Sequence, residues 1–288
     1  MKHFSKYLSG IFLILAMLSC DKPHKAENIK VTSFNIRYSE AQDGPNDWIH
    51  RQPIVSQYLQ TSQADIIGFQ EVLQDQMNFL VENLEGYGSY GIGRDDGKKQ
   101  GEYAPIFYKQ SRFKKISEGT FWLSETPEDT ASVGWDAALC RIASWVKLKD
   151  KQTGDPILAI NTHFDHQGEI ARQKSAQLLM DKAREIVGDN PAIITGDFNL
   201  TPSEAPYKIL TSETGNQFFD SYSVAESKTL GNKQTFHAYG HKEGEFFIDF
   251  IFINKHLSAL DYQIDEERSG DIYISDHYPI SATLEIVK

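Results

Sequence analysis

Six short apolar runs in this 288-residue chain lead into side chains that can hold a cation or move a proton. Val31-Thr-Ser-Phe-Asn35 ends in an amide, Asp65-Ile-Ile-Gly-Phe-Gln-Glu71 in a carboxylate and Ile157-Leu-Ala-Ile-Asn-Thr-His163 in an imidazole. Ala192-Ile-Ile-Thr-Gly-Asp197-Phe-Asn199, Phe246-Phe-Ile-Asp249 and Ile272-Tyr-Ile-Ser-Asp276-His277 repeat the design. One such ending is ordinary turn chemistry. Six of them, all rich in oxygen and nitrogen ligands, point to a site. Ligands of α/β proteins collect at the carboxyl ends of strands, so these groups are expected on one rim.

Convergence would crowd the carboxylates of Glu71, Asp197, Asp249 and Asp276 into a small volume. Like charges a few ångströms apart repel by several kcal/mol at an effective dielectric near 20. Protonation relieves that, as does a hard divalent cation beside the two histidines. The donors are mainly oxygens, with no cysteine cluster and no His-Glu-x-x-His signature. Mg²⁺ is therefore expected, with Mn²⁺ or Ca²⁺ as alternatives, rather than zinc.

The elements that must position these groups show in the hydrophobic spacing. Ile49 to Leu59, Val72 to Leu84 and Gly168 to Val187 have helical periodicity. Between Tyr103 and Leu148 the pattern is strand-like, in Ala104–Tyr108, Thr120–Leu123 and Ile142–Leu148. Interleaved helices and strands with a strand-rich middle predict two sheets packed face to face with helices outside. No linker or repeat divides residues 29–288, which read as one domain.

Before that domain, Lys2 and Lys6 precede an apolar run from Leu8 to Leu18, too short to span a bilayer comfortably. Met17-Leu18-Ser19-Cys20 resembles a bacterial lipobox, which makes Cys20 a lipidation site. Residues 1–19 are then a lipoprotein signal peptide and 20–28 a polar tether. The protein is expected to be exported, anchored by lipid to the cell envelope at the outer membrane or in the periplasm, and monomeric. If Cys20 is acylated, Cys140, the other of two cysteines, has no partner. The formal charge is −11, and losing the two lysines of residues 1–19 deepens it to −13. Such a chain gains nothing from long-range attraction to polyanions, so no stable nucleic-acid partner is expected. A phosphoester substrate stays open, because a bound cation inverts the local field.

Thr32-Ser-Phe-Asn35-Ile-Arg37, Gln70-Glu71, Asn161-Thr-His163, Gly196-Asp197-Phe-Asn199, Ile248-Asp249-Phe and Ser275-Asp276-His277 together resemble the ordered motifs of the endonuclease/exonuclease/phosphatase superfamily. The resemblance runs from about Ile29 to Ile286. It implies an α/β (α+β) fold, a four-layered α/β sandwich of two mixed β-sheets with outer helices, as in pancreatic-type DNases. Gly93 to Tyr108, Phe121 to Pro127 and Gly134-Trp135-Asp136 look like an exported bacterial branch.

The resemblance also implies roles. Glu71 matches the main metal ligand, with Asn35 and Asp276 in or near the metal shell. His277 matches the histidine at the scissile phosphate, and Asp249 the acid that holds its ring. Asp197 and Asn199 match the pair that orients the attacking water. His163 matches a second phosphate-side histidine, Glu102 its carboxylate partner and Arg141 a phosphate-binding arginine. Arg94 and His237 are further substrate-contact candidates. Asp165 and His166 read as surface residues, and Trp122, Trp135 and Phe236 as packing.

The function these residues imply is metal-dependent hydrolysis of an extracytoplasmic phosphomonoester or phosphodiester. A secreted nuclease of the same fold is one alternative, and a non-catalytic surface-binding lipoprotein another. A two-carboxylate glycoside hydrolase would use the acids and leave the histidines idle. No long hydrophobic hairpin for entering a membrane is present, which favours a small or head-group phosphoester. Lipidation predicts that intact mass of the native-host protein shows a chain beginning at Cys20 and carrying acyl groups; a mature protein without that mass would remove the anchor.

Overall fold

The computed structural model describes residues 27–211, 218–231, 234–242, 244 and 246–287. The expected signal peptide, Cys20 and the expected tether up to residue 26 lie outside the described residues.

Seven strands form the first mixed sheet: β1 (Ile29–Asn35), β2 (Ile66–Gln70), β3 (Tyr87–Tyr90), β4 (Ile106–Lys109), β10 (Ser227–Leu230), β12 (Leu257–Ile264) and β15 (Ile280–Ile286). Their spatial order is β10-β12-β15-β1-β2-β4-β3, with β1 parallel to β2 and antiparallel to β15. The second holds β5 (Phe113–Trp122), β6 (Ile142–Asp150), β7 (Pro156–His163), β8 (Ala192–Asp197), β9 (Phe218–Asp220) and β11 (Asp249–Asn254). Its order is β5-β6-β7-β8-β11-β9, with β7 parallel to β8. A small hairpin, β13 (Arg268–Ser269) and β14 (Ile272–Tyr273), leads into β15. The helices are α1 (Trp48–Ser62), α2 (Gln74–Asn83), α3 (Glu169–Val187), α4 (Ala205–Leu210) and α5 (Ser221–Val224).

Strand side chains alternate between faces, and the core follows that period of two. Ile29, Val31, Ile157, Ala159, Ile193, Ile251 and Ile253 point between the sheets. Leu158, Ile160, Ile194 and Phe252 point outward onto Ala176, Leu179, Met180 and Ala183 of α3. On the other side, Phe34, Ile67 and Phe69 meet Val55, Tyr58 and Leu59 of α1 and Leu80 of α2. These two-sided strands make four layers, the DNase I-like α/β sandwich. Each fully buried side chain of this size removes about 1.5–3 kcal/mol worth of apolar surface from water.

A polar bridge pins the sheets beneath the rim. Asn161 of β7 donates to the carbonyls of Phe69 (2.6 Å) and Pro105 (3.1 Å), and its oxygen accepts from Gln70 (2.6 Å) and Thr195 (3.0 Å). Opposite it, Gly68 leaves no room for a side chain. A Cβ there would collide with Thr195 Oγ1 and lie 2.6 Å from Asn161 Oδ1.

The strand ends depart from expectation in two places. Asp249 begins β11 rather than ending a strand, because β11 runs antiparallel to β8 and pairs Asp249 with Asp197. Asp276 and His277 lie in the loop between β14 and β15. The rim therefore gathers strand ends, one strand start and a loop. Gly68→Val is expected to lower thermal stability through overpacking by about 1–3 kcal/mol or more; an unchanged melting temperature would mean that the sheets are not clamped at this point.

Candidate active site

The cleft opens where β1, β2, β7 and β8 end. Register brings His163, Asp197 and Asp249 side by side on neighbouring strands, and Asn35 lies level with Gln70, one residue before Glu71. Arg37, Glu71 and Asn199 hold left-handed backbone angles, with φ of 58°, 60° and 49°. Non-glycine residues held there cost of order 1–3 kcal/mol each, and such strain collects at functional sites.

Asn35 is the central donor. Its Nδ2 reaches Asp197 Oδ2 at 2.9 Å and Glu71 Oε1 at 3.1 Å, while its Oδ1 accepts from the Arg37 backbone N–H at 3.0 Å. The backbone donor takes one lone pair of Oδ1 and fixes the amide orientation, so Nδ2 links two carboxylates while Oδ1 keeps a second lone pair. Glu71 Oε2 accepts from the Tyr38 N–H at 3.1 Å. Arg37 Nη1 lies 3.9 Å from Glu71 Oε2 and 3.7 Å from Asp276 Oδ2. Asp43 holds the other side of that guanidinium at 3.0 and 3.1 Å.

His277 Nδ1 bonds Asp249 Oδ2 at 2.9 Å, and its Nε2 faces Asp197 Oδ2 at 3.7 Å. Burial opposes charge on this ring, but Asp249, then Asp197 and Asp276, outweigh it and carry its pKa up to about 10. Asp197 is raised to about 7 by burial and by Asp249, against the pull of His277 and the Asn199 and Asn35 donors. Burial, with Glu71 nearby, also raises Asp276.

His163 differs. Burial and then the nearby Arg141 guanidinium hold it well below the usual imidazole range, so it is neutral. Asn199 Nδ2, which also donates to the Phe164 carbonyl, approaches His163 Nε2 at 3.0 Å. Nε2 is therefore the acceptor, and the proton resides on Nδ1, which has no hydrogen-bond partner and lies 3.6 Å from Glu102 Oε2. The Asn199 N–H returns to Asp197 Oδ1 at 3.0 Å in an Asx-type turn.

Arg141 is buried between Asp165 (3.5 Å) and His166 Nδ1 (3.1 Å), with Nη1 unpartnered and 3.9 Å from Glu102. Asp165 is not a surface residue. It accepts from the Gly168 N–H at 2.8 Å and the Gln167 N–H at 3.0 Å, and it holds Arg141; His166 is exposed and lines the cleft.

Arg94 lies behind Glu102, gripping it with two bonds of 2.9 and 3.0 Å, and is not among the cleft-lining residues. His237 is buried, stacked on Tyr278 at 3.9 Å, and lies outside the cleft as well. Burial lowers it to about 3, so it is a neutral packing ring. Phe236 does face the cleft, 4.8 Å from the His277 ring. Sequence reasoning gave no role to Arg37, although it stands two residues after Asn35.

The cleft encloses about 430 Å³. Ligand atoms of Glu71, His163 and Asp197 lie within 4.8 Å of one another, as do those of Asp197, Asp249 and His277. Oxygen-rich donors, two of them with raised carboxyl pKa values, fit a divalent cation: the site carries negative charge that its own hydrogen bonds leave unbalanced.

A model of the endonuclease/exonuclease/phosphatase family matches residues 32–277. The chain belongs to that family. The family takes its name from hydrolases acting on phosphoester bonds. A Bacteroides vulgatus endonuclease/exonuclease/phosphatase is 40% identical, with a TM-score of 0.87, 91% of this chain covered and 100% of that one. The Bacteroides thetaiotaomicron mannosyl-6-phosphatase is 36% identical, with a TM-score of 0.83 and coverage of 89% and 99%. Drosophila melanogaster nocturnin is 23% identical over 320 residues, 93% of this chain and 48% of its own length. The chain spans 37%, 58% and 48% of three of the curated relatives it matches.

Charge in the cleft makes stability depend on pH. Asp197 binds its proton more tightly folded than unfolded, which costs stability as pH rises from about 4 to 7. The His277 contribution is complete below its ordinary 6.5 and is lost as pH rises through about 10. Both act in one direction. In a chelator the melting temperature is expected to fall from pH 6 to 9, and added Mg²⁺ to stabilise more at pH 8 than at pH 5. A melting temperature that rises over this range, with no larger Mg²⁺ effect at high pH, would contradict the charge balance.

Proposed function

We propose that this protein is a Mg²⁺-dependent phosphatase for a small, hydroxyl-rich phosphomonoester of the sugar-phosphate class, working outside the cytoplasm. One observation carries the reading. Two buried N–H donors, Arg141 Nη1 and His163 Nδ1, have no hydrogen-bond partner and stand at a cleft of about 430 Å³, the size of a small phosphorylated ligand. Buried donors without partners are costly, and a phosphate oxygen satisfies both. The 36% likeness to a mannosyl-6-phosphatase supports the substrate class, and the charge of −11 disfavours a polyanion.

Glu71, Asp276 and Asp197 would hold the cation, which supplies charge neutralisation at the nonbridging phosphate oxygens. Asp197, held by Asn35 and Asn199, orients the water and accepts its proton as the new P–O bond forms. Asp249 keeps the His277 ring protonated toward the phosphate. His163 and Arg141 stabilise the charge that grows as the bond to the leaving oxygen breaks. Solvent entering the open cleft supplies the proton that the leaving alkoxide takes up.

The path of the chain supports a soluble or glycan-borne substrate. Arg112 bonds the carbonyls of Glu27 and Asn28, both at 2.6 Å, where the chain enters β1. The cleft is at the other end of that strand, about 20 Å away at 3.3 Å per residue. An anchor on Cys20 would therefore join the domain at the pole opposite the cleft.

A panel of mannose 6-phosphate, p-nitrophenyl phosphate, bis-p-nitrophenyl phosphate, DNA and sphingomyelin tests this. Mg²⁺-dependent phosphate release is expected from the monoesters first, with His277→Ala and Asn199→Ala slowing kcat by about 10²–10³-fold. Preference for DNA would shift the reading to a nuclease. Wild type and His277→Ala equally inert on every substrate would leave only a binding role.

A further inference from the structure

Arg51 is fully buried, and the chemistry above does not use it. It lies on the core-facing side of α1, in line with Trp48, Val55 and Tyr58, where a helix of this kind ordinarily carries an apolar residue. All four of its hydrogen bonds go to backbone carbonyls: Asn46 (2.8 Å), Ile36 (2.5 Å), Ile274 (3.1 Å) and Arg37 (3.0 Å). Burial pulls its pKa down, against weaker support from Tyr239, Asp276 and Asp43. A cation placed at such cost is spent on geometry.

The acceptors say which geometry. Ile36 and Arg37 directly follow Asn35, and Ile274 stands two residues before Asp276. One guanidinium thus ties the loop leaving β1 to the loop leaving β14. We propose that Arg51 is a positioning residue for the cation site, holding the Asn35–Glu71 side and the Asp276 side at a fixed separation. The inference rests on reading Glu71 and Asp276 as cation ligands.

The need follows from charge. Glu71 and Asp276 repel each other across the site, and Arg37 reaches both only at 3.9 and 3.7 Å. Without a fastening between their loops, the carboxylates drift apart and a cation must pull them together on binding. Lysine cannot replace the fastening, since its ammonium is a point with three donors, whereas the guanidinium is a planar fork reaching four carbonyls in different directions. Asn46 adds to the same junction, with its Oδ1 accepting from the Tyr273 N–H at 3.0 Å.

The test measures Mn²⁺ affinity by calorimetry in wild type, Glu71→Gln, Arg51→Lys and Asn46→Ala, beside the Mg²⁺ dependence of activity and the melting temperature in chelator. Leu158→Ala, in the core behind the second sheet, serves as a destabilised control. Arg51→Lys is expected to bind Mn²⁺ about tenfold more weakly, the size seen when support behind a ligand is lost. Its half-saturating Mg²⁺ should rise in step, with kcat largely recovered at saturating Mg²⁺. Asn46→Ala should weaken binding less, by about threefold, and Leu158→Ala should melt earlier with its Mn²⁺ affinity intact.

A folded Arg51→Lys with wild-type Mn²⁺ affinity overturns the proposal. Should Arg51→Lys fail to fold, Asn46→Ala decides alone: wild-type affinity there overturns it too. Wild type whose Mn²⁺ binding is indifferent to Glu71→Gln would instead overturn the ligand reading beneath it.

Discussion

Negative charge at one pole of the sandwich governs the rest of the molecule. Glu71, Asp197, Asp249 and Asp276 stand where little water reaches, and their mutual repulsion must be balanced by what surrounds them. Asn35 gives Asp197 and Glu71 one amide to share, Arg37 faces Glu71 and Asp276, and His277 takes a proton from between Asp249 and Asp197. Those partners do not complete the balance: burial first, and then a neighbouring carboxylate, raises the pKa of both Asp197 and Asp276. That deficit suits a divalent cation.

Charge of this kind is tolerable only in a frame that does not yield. The Asn161 bridge ties the sheets directly below the site, and Gly68 lets them close to that distance. On the flank, Arg51 ties two loops through carbonyls alone. Apolar packing supplies most of the folding free energy, but it is non-directional, and these polar contacts fix the angles at which the rim groups meet. The strained backbone at Arg37, Glu71 and Asn199 is consistent with such a frame, since strain of this order persists only where the surroundings over-determine it.

The two histidines show how environment separates identical side chains. His277 has an aspartate on each ring nitrogen's side and holds its proton; His163 is kept neutral by burial first and then by a nearby arginine, with an amide donor at Nε2. One presents charge to the cleft, the other a hydrogen-bond donor. Their roles diverge through neighbours drawn from the loop before β6, from β8 and the turn after it, and from β11, none of them adjacent in sequence.

Much of this was legible from the chain alone. Alternating apolar residues determined two-faced strands, helical spacing located α1, α2 and α3, and the polar endings of apolar runs named most of the cleft. Those signals are local, set by side-chain period and residue type. Sequence periodicity could not tell that Asp249 starts its strand, because strand direction depends on which neighbour it pairs with. Nor could it tell that Asp165 is buried, that Arg94 serves Glu102 or that His237 is stacked on Tyr278, since each depends on a residue distant in the chain. Arg51 left a trace, as a charge on an apolar helical stripe, but its four carbonyl partners exist only after two loops fold over it. Residue types decided which chemistry was possible; only the tertiary structure set the distances between charges, and those distances fix protonation and hence role.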